Sequence, residues 1–307
     1  MSEQNLVDRT VLVTGGAGFI GSHLVDALVE ENEVRVLDDL STGQVARLPD
    51  DVELVHGDVR NEELVAHATK DVDVVFHQAA NVSVPASVEN PMTTDAVNVD
   101  GTLAVLEAAR EEDARVVVAS SCAVYGDPLS LPLAETDRLR PESPYGVQKA
   151  TVDEYARLYN ELYGLETVAL RYFNVYGPRQ GDGGGYSGVI SIFLEQARNG
   201  EDVTVEGDGS QTRDFVHVSD VVRANLAAAT TDAVGEAFNV CTGTETSVLE
   251  LAEHVVEHVD SNADIVNVEE RAGDIARSYG DDTKARHQLE FETTVELEDG
   301  IRDLSTR

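Results

Sequence analysis

The sequence predicts an α/β protein: a doubly wound parallel sheet, covered by helices on both faces, with a smaller α/β substrate-binding region beside it. Three observations carry that prediction. Short apolar runs alternate with amphipathic stretches through the first half, a glycine-rich turn joins the first run to the first helix, and the rhythm loosens after about Arg171. Strands alternating with helices build parallel sheets, and such sheets bind ligands at the carboxyl ends of their strands.

The first strand, Thr10–Thr14 (TVLVT), runs straight into GGAGFIG, and an amphipathic helix follows over Phe19–Glu30. A second strand, Glu33–Leu37, ends at Asp38 and Asp39. Runs at Val52–Val55, Val72–Phe76, Arg115–Ala119 and Thr167–Leu170 read as further strands. Helical patterns at Asn61–Thr69, Thr93–Glu111 and Tyr145–Tyr163 lie between them. Beyond Arg171, loops rich in Gly, Asp and Arg (Pro178–Ser187, Glu206–Asp214, Arg271–Asp282) separate shorter elements. The expected division is a nucleotide-binding body over 1–172, receiving a segment near 215–240, and a mainly substrate-binding region over 173–307.

Composition narrows the function classes. Among 307 residues, 42% are hydrophobic, enough for a sizeable core. Asp and Glu number 58 against 22 Lys and Arg, a formal net charge of −36. Such a surface repels nucleic acid and anionic membranes, so neither is expected as a partner. Its acidic, Lys-poor character is that of proteins from high-salt cytoplasm, where screening makes self-repulsion tolerable. Cys122 and Cys241 form neither a disulfide framework nor a metal cluster and fit a reducing compartment. With no membrane-length apolar run and an N-terminus unlike a signal peptide, a soluble cytoplasmic protein is expected.

Gly16, Gly18 and Gly21 satisfy G-x-G-x-x-G between a strand and a helix, and Gly15 adds the G-x-x-G-x-x-G spacing. This is a Rossmann-type dinucleotide signature: glycines permit the tight turn and let a pyrophosphate approach backbone N–H groups at the helix N-terminus. Asp38 follows 22 residues after Gly16, at the end of the second strand. A carboxylate there bonds ribose hydroxyls and repels a 2′-phosphate, and no cation follows until Arg47, so NAD is favoured over NADP. Asp58 (HGDVR) could meet the adenine or could cap the helix after it. Ala79 and Ala80 (FHQAA) offer a small-residue floor for the dinucleotide.

SPYGVQKA places Tyr145 four residues before Lys149, on one face of a helix. An ammonium beside a phenol favours the phenolate, a base strong enough to take a proton from an alcohol.

TGGAGFIG, HQAA, ASSCAVYG, SPYGVQKA, LRYFNVYGPRQ and GDGSQTRDFVHVSD, in this order, resemble the extended short-chain dehydrogenase/reductases that act on nucleotide sugars, closest to the UDP-hexose 4-epimerases. The resemblance covers roughly Thr10 to Arg286. It implies Ser121, Tyr145 and Lys149 as the catalytic set, with Ser120 as the alternative if the register slips by one. By the same resemblance Gly15, Gly18, Phe19, Ile20, Asp38, Asp58, Val59, Ala79, Ala80, Asn98, Tyr145 and Lys149 hold NAD. Ser121, Asn174, Arg179, Arg213, Arg271, Asp274 and Ser278 hold the UDP-sugar. Arg179 and Tyr176 stay open between binding and structural roles, and His217 reads as a packing residue.

The implied reaction has Tyr145 take the proton of the 4-hydroxyl as carbon 4 gives hydride to the nicotinamide. The 4-keto sugar then turns about its diphosphate and is reduced on its other face. Related 4,6-dehydratases carry Asp-Glu after the catalytic Ser or Thr; Cys122 and Ala123 stand there, which argues against dehydration. Ser278 falls where some epimerases place a bulky Tyr, so an N-acetylated sugar is expected to fit. Val82 and Ser83 replace a Lys that some hexose epimerases set on the cofactor diphosphate, which implies weaker cofactor retention. A UDP-glucuronate decarboxylase or 4-epimerase is the enzymatic alternative, and a non-catalytic dinucleotide-binding regulator the alternative from another class. The family's paired helices imply a homodimer.

Overall fold

The structure, a computed structural model, describes residues 6–181, 188–259, 263–270 and 275–306. Arg271 and Asp274, two expected substrate contacts, lie outside the described residues.

Strand β1 (Thr10–Thr14) is apolar throughout because both its faces are covered: Val11, Leu12 and Val13 are fully buried. It leads through the glycine turn into α1 (Phe19–Leu28) and β2 (Glu33–Asp38). Next come β3 (Glu53–His56), α2 (Glu62–Thr69) and β4 (Val74–His77), then α3 (Val84–Glu89), α4 (Pro91–Asp95) and α5 (Gly101–Glu112). Strand β5 (Arg115–Ser121), α6 (Pro144–Tyr163) and β6 (Thr167–Tyr172) complete this half. Helix α6 starts where Ser143 accepts the Gly146 N–H at 3.1 Å and Pro144 takes the first turn; it stops at Gly164, φ +72°.

The expected helix Thr93–Glu111 is divided. Between α4 and α5 a π-helical turn spans Ala96–Asp100. It coincides with Asn98, whose side chain reaches sideways to Asn81 and Gln148. Strand limits move too: β3 begins at Glu53 rather than Val52, and β4 runs to His77. β5 continues through Ser120 and Ser121, which pair with Arg171 and Tyr172. Polar residues ended the apolar run in the sequence two residues before the strand ends.

The second half holds β7 (Asn174–Tyr176), α7 (Val189–Asn199), β8 (Val203–Glu206), β9 (Thr212–Arg213) and β10 (Phe215–His217). Then follow α8 (Val218–Thr230), β11 (Glu236–Val240), β12 (Thr246–Ser247), α9 (Val248–His258), β13 (Ile265–Val268), α10 (Thr283–Gln288) and α11 (Leu297–Ser305).

The main sheet has seven parallel strands ordered β3-β2-β1-β4-β5-β6-β11. Its last strand, Glu236–Val240, returns from the second half. The order reverses between β1 and β4, which opens a crevice at their carboxyl ends. Side-chain alternation divides the core. Val11 and Val13 pack with Leu24 of α1 and Ala224 of α8 on one face; Leu12 packs with Val65 of α2 and Leu106 of α5 on the other. Each such residue contributes about 1.5–3 kcal/mol on full burial. A separate core of Phe193, Val203, Leu251, Val255 and Ile301 supports the second half. Among the described residues no helix is long and apolar enough to cross a membrane.

Candidate active site

At the switch point the glycines have no room for side chains. Gly15 has φ +68°, and a Cβ on it would lie 2.7 Å from the Ala79 nitrogen. A Cβ on Gly21 would lie 2.2 Å from the Gly15 carbonyl oxygen, so helix and strand close together only through glycine. Gly18 caps α1 without a side-chain bond, and the first turn carries no acidic residue. The leading N–H groups of a helix have no intrahelical partner, so Phe19 and Ile20 present donors and a positive dipole end to an anion.

Asp38 is welded to this loop. Its Oδ2 accepts the Ala17 N–H at 2.9 Å and its Oδ1 accepts the Leu40 N–H at 2.8 Å. Burial raises its pKa, and the two backbone bonds oppose that rise. Each oxygen keeps lone-pair capacity for a ribose hydroxyl. The cradle therefore fits a dinucleotide with an unphosphorylated ribose. Arg47 comes nearer than its place in the sequence suggests: its guanidinium bonds the Arg179 carbonyl at 3.0 Å and reaches the Ala17 carbonyl at 3.5 Å.

Other expected cofactor residues have local tasks. Asp58 does not cap the next helix: Asn61 does, accepting the Leu64 N–H at 3.2 Å. The Asp58 carboxylate instead pairs with Arg60 at 2.5 Å, and that partner lowers its pKa. Val59 packs against Gly101. Ala79 and Ala80 continue from β4 beside the glycine turn. Asn98, 1% exposed, accepts the Asn81 N–H at 2.7 Å and donates to the Asn81 carbonyl at 3.0 Å and to Gln148 at 2.8 Å. Its side chain shapes the 79–83 loop from behind. His77 is buried and neutral, its pKa lowered to about 3 by burial, and it ties Thr14 at 2.7 Å to Thr102 at 2.9 Å.

The next strand ends bring the acid–base groups. Ser121 closes β5, is half-buried, and accepts the Ala123 N–H at 3.2 Å. Ser120 is 3% exposed, and its hydroxyl favours the ionised form of the buried Asp153. Tyr145 lies in the first turn of α6, its N–H on the Ser87 hydroxyl at 3.1 Å. One turn on, Lys149 is 4% exposed and its ammonium donates to the Ala119 carbonyl at 2.7 Å. Burial lowers the Lys149 pKa to about 8, with the Asp153 charge opposing.

Asp153 and Arg171 were not found by sequence reasoning. Asp153 lies one turn beyond Lys149 on the same face of α6, a spacing that could have flagged it. Its Oδ2 meets Arg171 Nε at 2.5 Å, both side chains being under 10% exposed. Arg171 also donates to the Tyr125 hydroxyl at 2.9 Å and stacks on that ring.

From the second half, Arg213 donates to the Thr212 and Ile275 carbonyls at 2.6 and 2.7 Å, and its charge acts on Cys122. Burial pushes the Cys122 thiol up to about 11. Ser278, 7% exposed, is held by its N–H on the Thr212 carbonyl at 3.2 Å. Asn174 donates its amide to the Asp214 carbonyl at 3.2 Å. Asp214, also missed, is fully buried. It accepts from Thr242, Gly243 and Gly280, and burial raises its pKa to about 6. Residues 212–214 thus form a hub: Asn174 bonds the Asp214 backbone, Arg213 and Ser278 bond the Thr212 carbonyl, and the Asp214 carboxylate holds the backbone at 242–243 and 280. Arg179 is diverted: it has φ +69° and pairs with Asp26 of α1 at 2.7 Å. Tyr176 packs edge-on to His217, whose ring caps α8.

The sheet with its glycine cradle, and the helix that carries Tyr145 and Lys149, fall within the span of one family model. The model of the NAD dependent epimerase/dehydratase family matches residues 11–241. The chain belongs to that family. Among its relatives, a putative UDP-glucose 4-epimerase of Methanocaldococcus jannaschii is 45% identical over 95% of this chain and 96% of its own. A Methanobrevibacter ruminantium UDP-N-acetylglucosamine 4-epimerase, solved with UDP-N-acetylmuramic acid, superposes with TM-score 0.94 at 36% identity, covering 98% of each chain. A Thermotoga maritima UDP-glucose 4-epimerase with UDP-glucose gives TM-score 0.93 at 38% identity, covering 97% of each.

Proposed function

We propose that the protein is an NAD-dependent 4-epimerase of UDP-hexoses, acting on the glucose/galactose pair and on the N-acetylated pair. The observation that carries this reading is the make-up of the β5–α6 mouth. Ser121 ends β5 and Tyr145 and Lys149 share one face of α6, with the Lys149 ammonium on the β5 carbonyl of Ala119, while Cys122, with its raised pKa, and Ala123 stand where the resemblance puts the acid and base of elimination. The names of the relatives support the same substrate class. NAD, when bound, supplies a reversible hydride acceptor beside this mouth.

The chain's own residues then have distinct tasks. Tyr145 takes the proton from the sugar 4-hydroxyl and returns it, and the Ser121 hydroxyl orients that oxygen. Lys149 supplies the positive charge that favours the phenolate. Arg213 and Arg271 match the diphosphate, Asn174 the phosphate or sugar, and Asp274 the uridine ribose. The body 1–172, joined by the segment near 215–240, holds NAD; 173–307 mainly holds the UDP-sugar.

Incubation with UDP-glucose, UDP-N-acetylglucosamine and UDP-glucuronate separately, with trace NAD, tests the reading. The expected products are 4-epimers of the first two without net NADH. Carbon dioxide and a pentose nucleotide would make it a decarboxylase. Bound NAD with no turnover would leave a non-catalytic binder. The small Ser278 side chain supports the acetylated substrate, and turnover of UDP-glucose alone would refute that part.

The Lys149 pKa of about 8 sets a pH dependence. The charged fraction falls as pH rises through that value, so kcat is expected to decline on its alkaline side. Lys149→Arg, always protonated, should move that limb upward in whatever activity it retains. A kcat profile over pH 6 to 10 checks both.

We also infer a cytoplasmic homodimer adapted to high salt. Val88, Met92, Val147, Leu162 and Tyr163 expose apolar surface on α3, α4 and α6, as a helical dimer face requires. Of the three lysines, Lys149 is buried and Lys284 pairs with Glu236 at 2.7 Å, so Arg carries most surface positive charge. Sedimentation and melting in molar salt should report a stable dimer, and dialysis to low salt should lower the melting temperature. Unchanged stability there would rule out the salt adaptation.

A further inference from the structure

Away from the mouth, the C-terminal turn of α9 carries His-x-x-Glu-His: His254, Glu257 and His258. Its inner face is used by Leu251, Ala252 and Val255, which pack into the second core. The two histidines are one turn apart, with rings 6.4 Å between centroids, and both are partly buried. One ligand atom from each of His254, Glu257 and His258 lies within 4.8 Å of the other two. Imidazole nitrogens at i and i+4 are a common way for one helix to grip a metal ion.

A second feature concerns protons. His258 Nδ1 lies 2.8 Å from the His254 carbonyl oxygen. A carbonyl only accepts, so Nδ1 carries a hydrogen and Nε2 is the nitrogen turned towards α11. Nε2 lies 3.5 Å from Glu298 Oε1 of α11, an oxygen that also accepts from Arg302 at 2.8 Å and would exchange that partner for an ion. A backbone carbonyl that fixes the tautomer, with the other nitrogen aimed at a carboxylate, is the second-shell arrangement of metal-binding histidines.

We propose that His254, His258 and Glu257, completed by rotation of the exposed Glu298 side chain, form a site for a divalent transition-metal ion of the zinc class. Imidazole donors favour that class over magnesium or calcium. The ion would clip α9 to α11, whose Ile301 and Leu304 close the second core. Its role is structural, and it is independent of the sugar chemistry.

The test is titration calorimetry of the full chain with zinc chloride in chelator-free buffer at pH 8, above the titration range of an ordinary imidazole. One equivalent is expected to bind, undisturbed by excess magnesium, and to raise the melting temperature. His254→Ala and His258→Ala should each weaken binding by about 100-fold and Glu298→Gln by about tenfold. The metal-free melting temperatures of these variants should match the parent, which separates lost ligands from lost folding. Absence of binding, or binding that neither histidine substitution weakens, would overturn the site. Displacement by magnesium would do the same for the metal class.

Discussion

Tyr145→Phe is expected to lower UDP-glucose turnover by about 10³-fold, within the range of a lost general acid–base group. The substitution removes one oxygen and leaves the ring, which is 8% exposed and set by the backbone bond of Tyr145 to Ser87. Lys149 keeps its bond to the Ala119 carbonyl, and the glycine cradle is untouched. Melting temperature and NAD affinity should therefore stay near the parent values while turnover collapses. Chromatographic assay of the 4-epimer, with calorimetric NAD binding, reads both. Activity retained within a factor of a few would remove Tyr145 from the chemistry.

Arg171→Met is expected to have the largest effect on stability. It strands the Asp153 carboxylate among buried groups, and breaking one side of a buried pair costs about 3–5 kcal/mol. Burial already pushes the Asp153 pKa up, and Arg171 is the main influence holding it down. Tyr125 and the Glu135 carbonyl lose a donor at the same time. Thermal melting should fall by on the order of 10 °C. Adding Asp153→Leu should return part of that loss, because two apolar side chains leave no unpaired charge. A single variant that melts with the parent would mean the pair contributes little.

Much of the site was legible before any fold was known, because its signals are local. The glycine turn follows from backbone geometry that only glycine tolerates, and Asp38 from its place at the end of the second strand. Tyr145 and Lys149 follow from the i, i+4 geometry of one helix. Apolar runs marked the first six strands of the sheet to within two residues: polar Ser120, Ser121 and Arg171 hid the ends of β5 and β6, and the seventh strand, Glu236–Val240, was expected only as a segment near 215–240. The helix expected at Thr93–Glu111 failed for a nonlocal reason. Asn98 reaches to residues 17 behind and 50 ahead in the chain, and periodicity carries no record of that.

What the sequence by itself determined is the parallel α/β sheet, the glycine turn and the helix face shared by Tyr145 and Lys149, since each rests on the backbone preferences of a few adjacent residues. Only the tertiary structure decided which charges meet. It joined Asp153 to Arg171, set the Asp214 carboxylate against the backbone of Thr242, Gly243 and Gly280, and drew Arg179 away to Asp26. The reason is physical. A buried charge takes its partner from whatever strand or helix packs beside it, and that neighbour is set by chain topology rather than by spacing along the sequence.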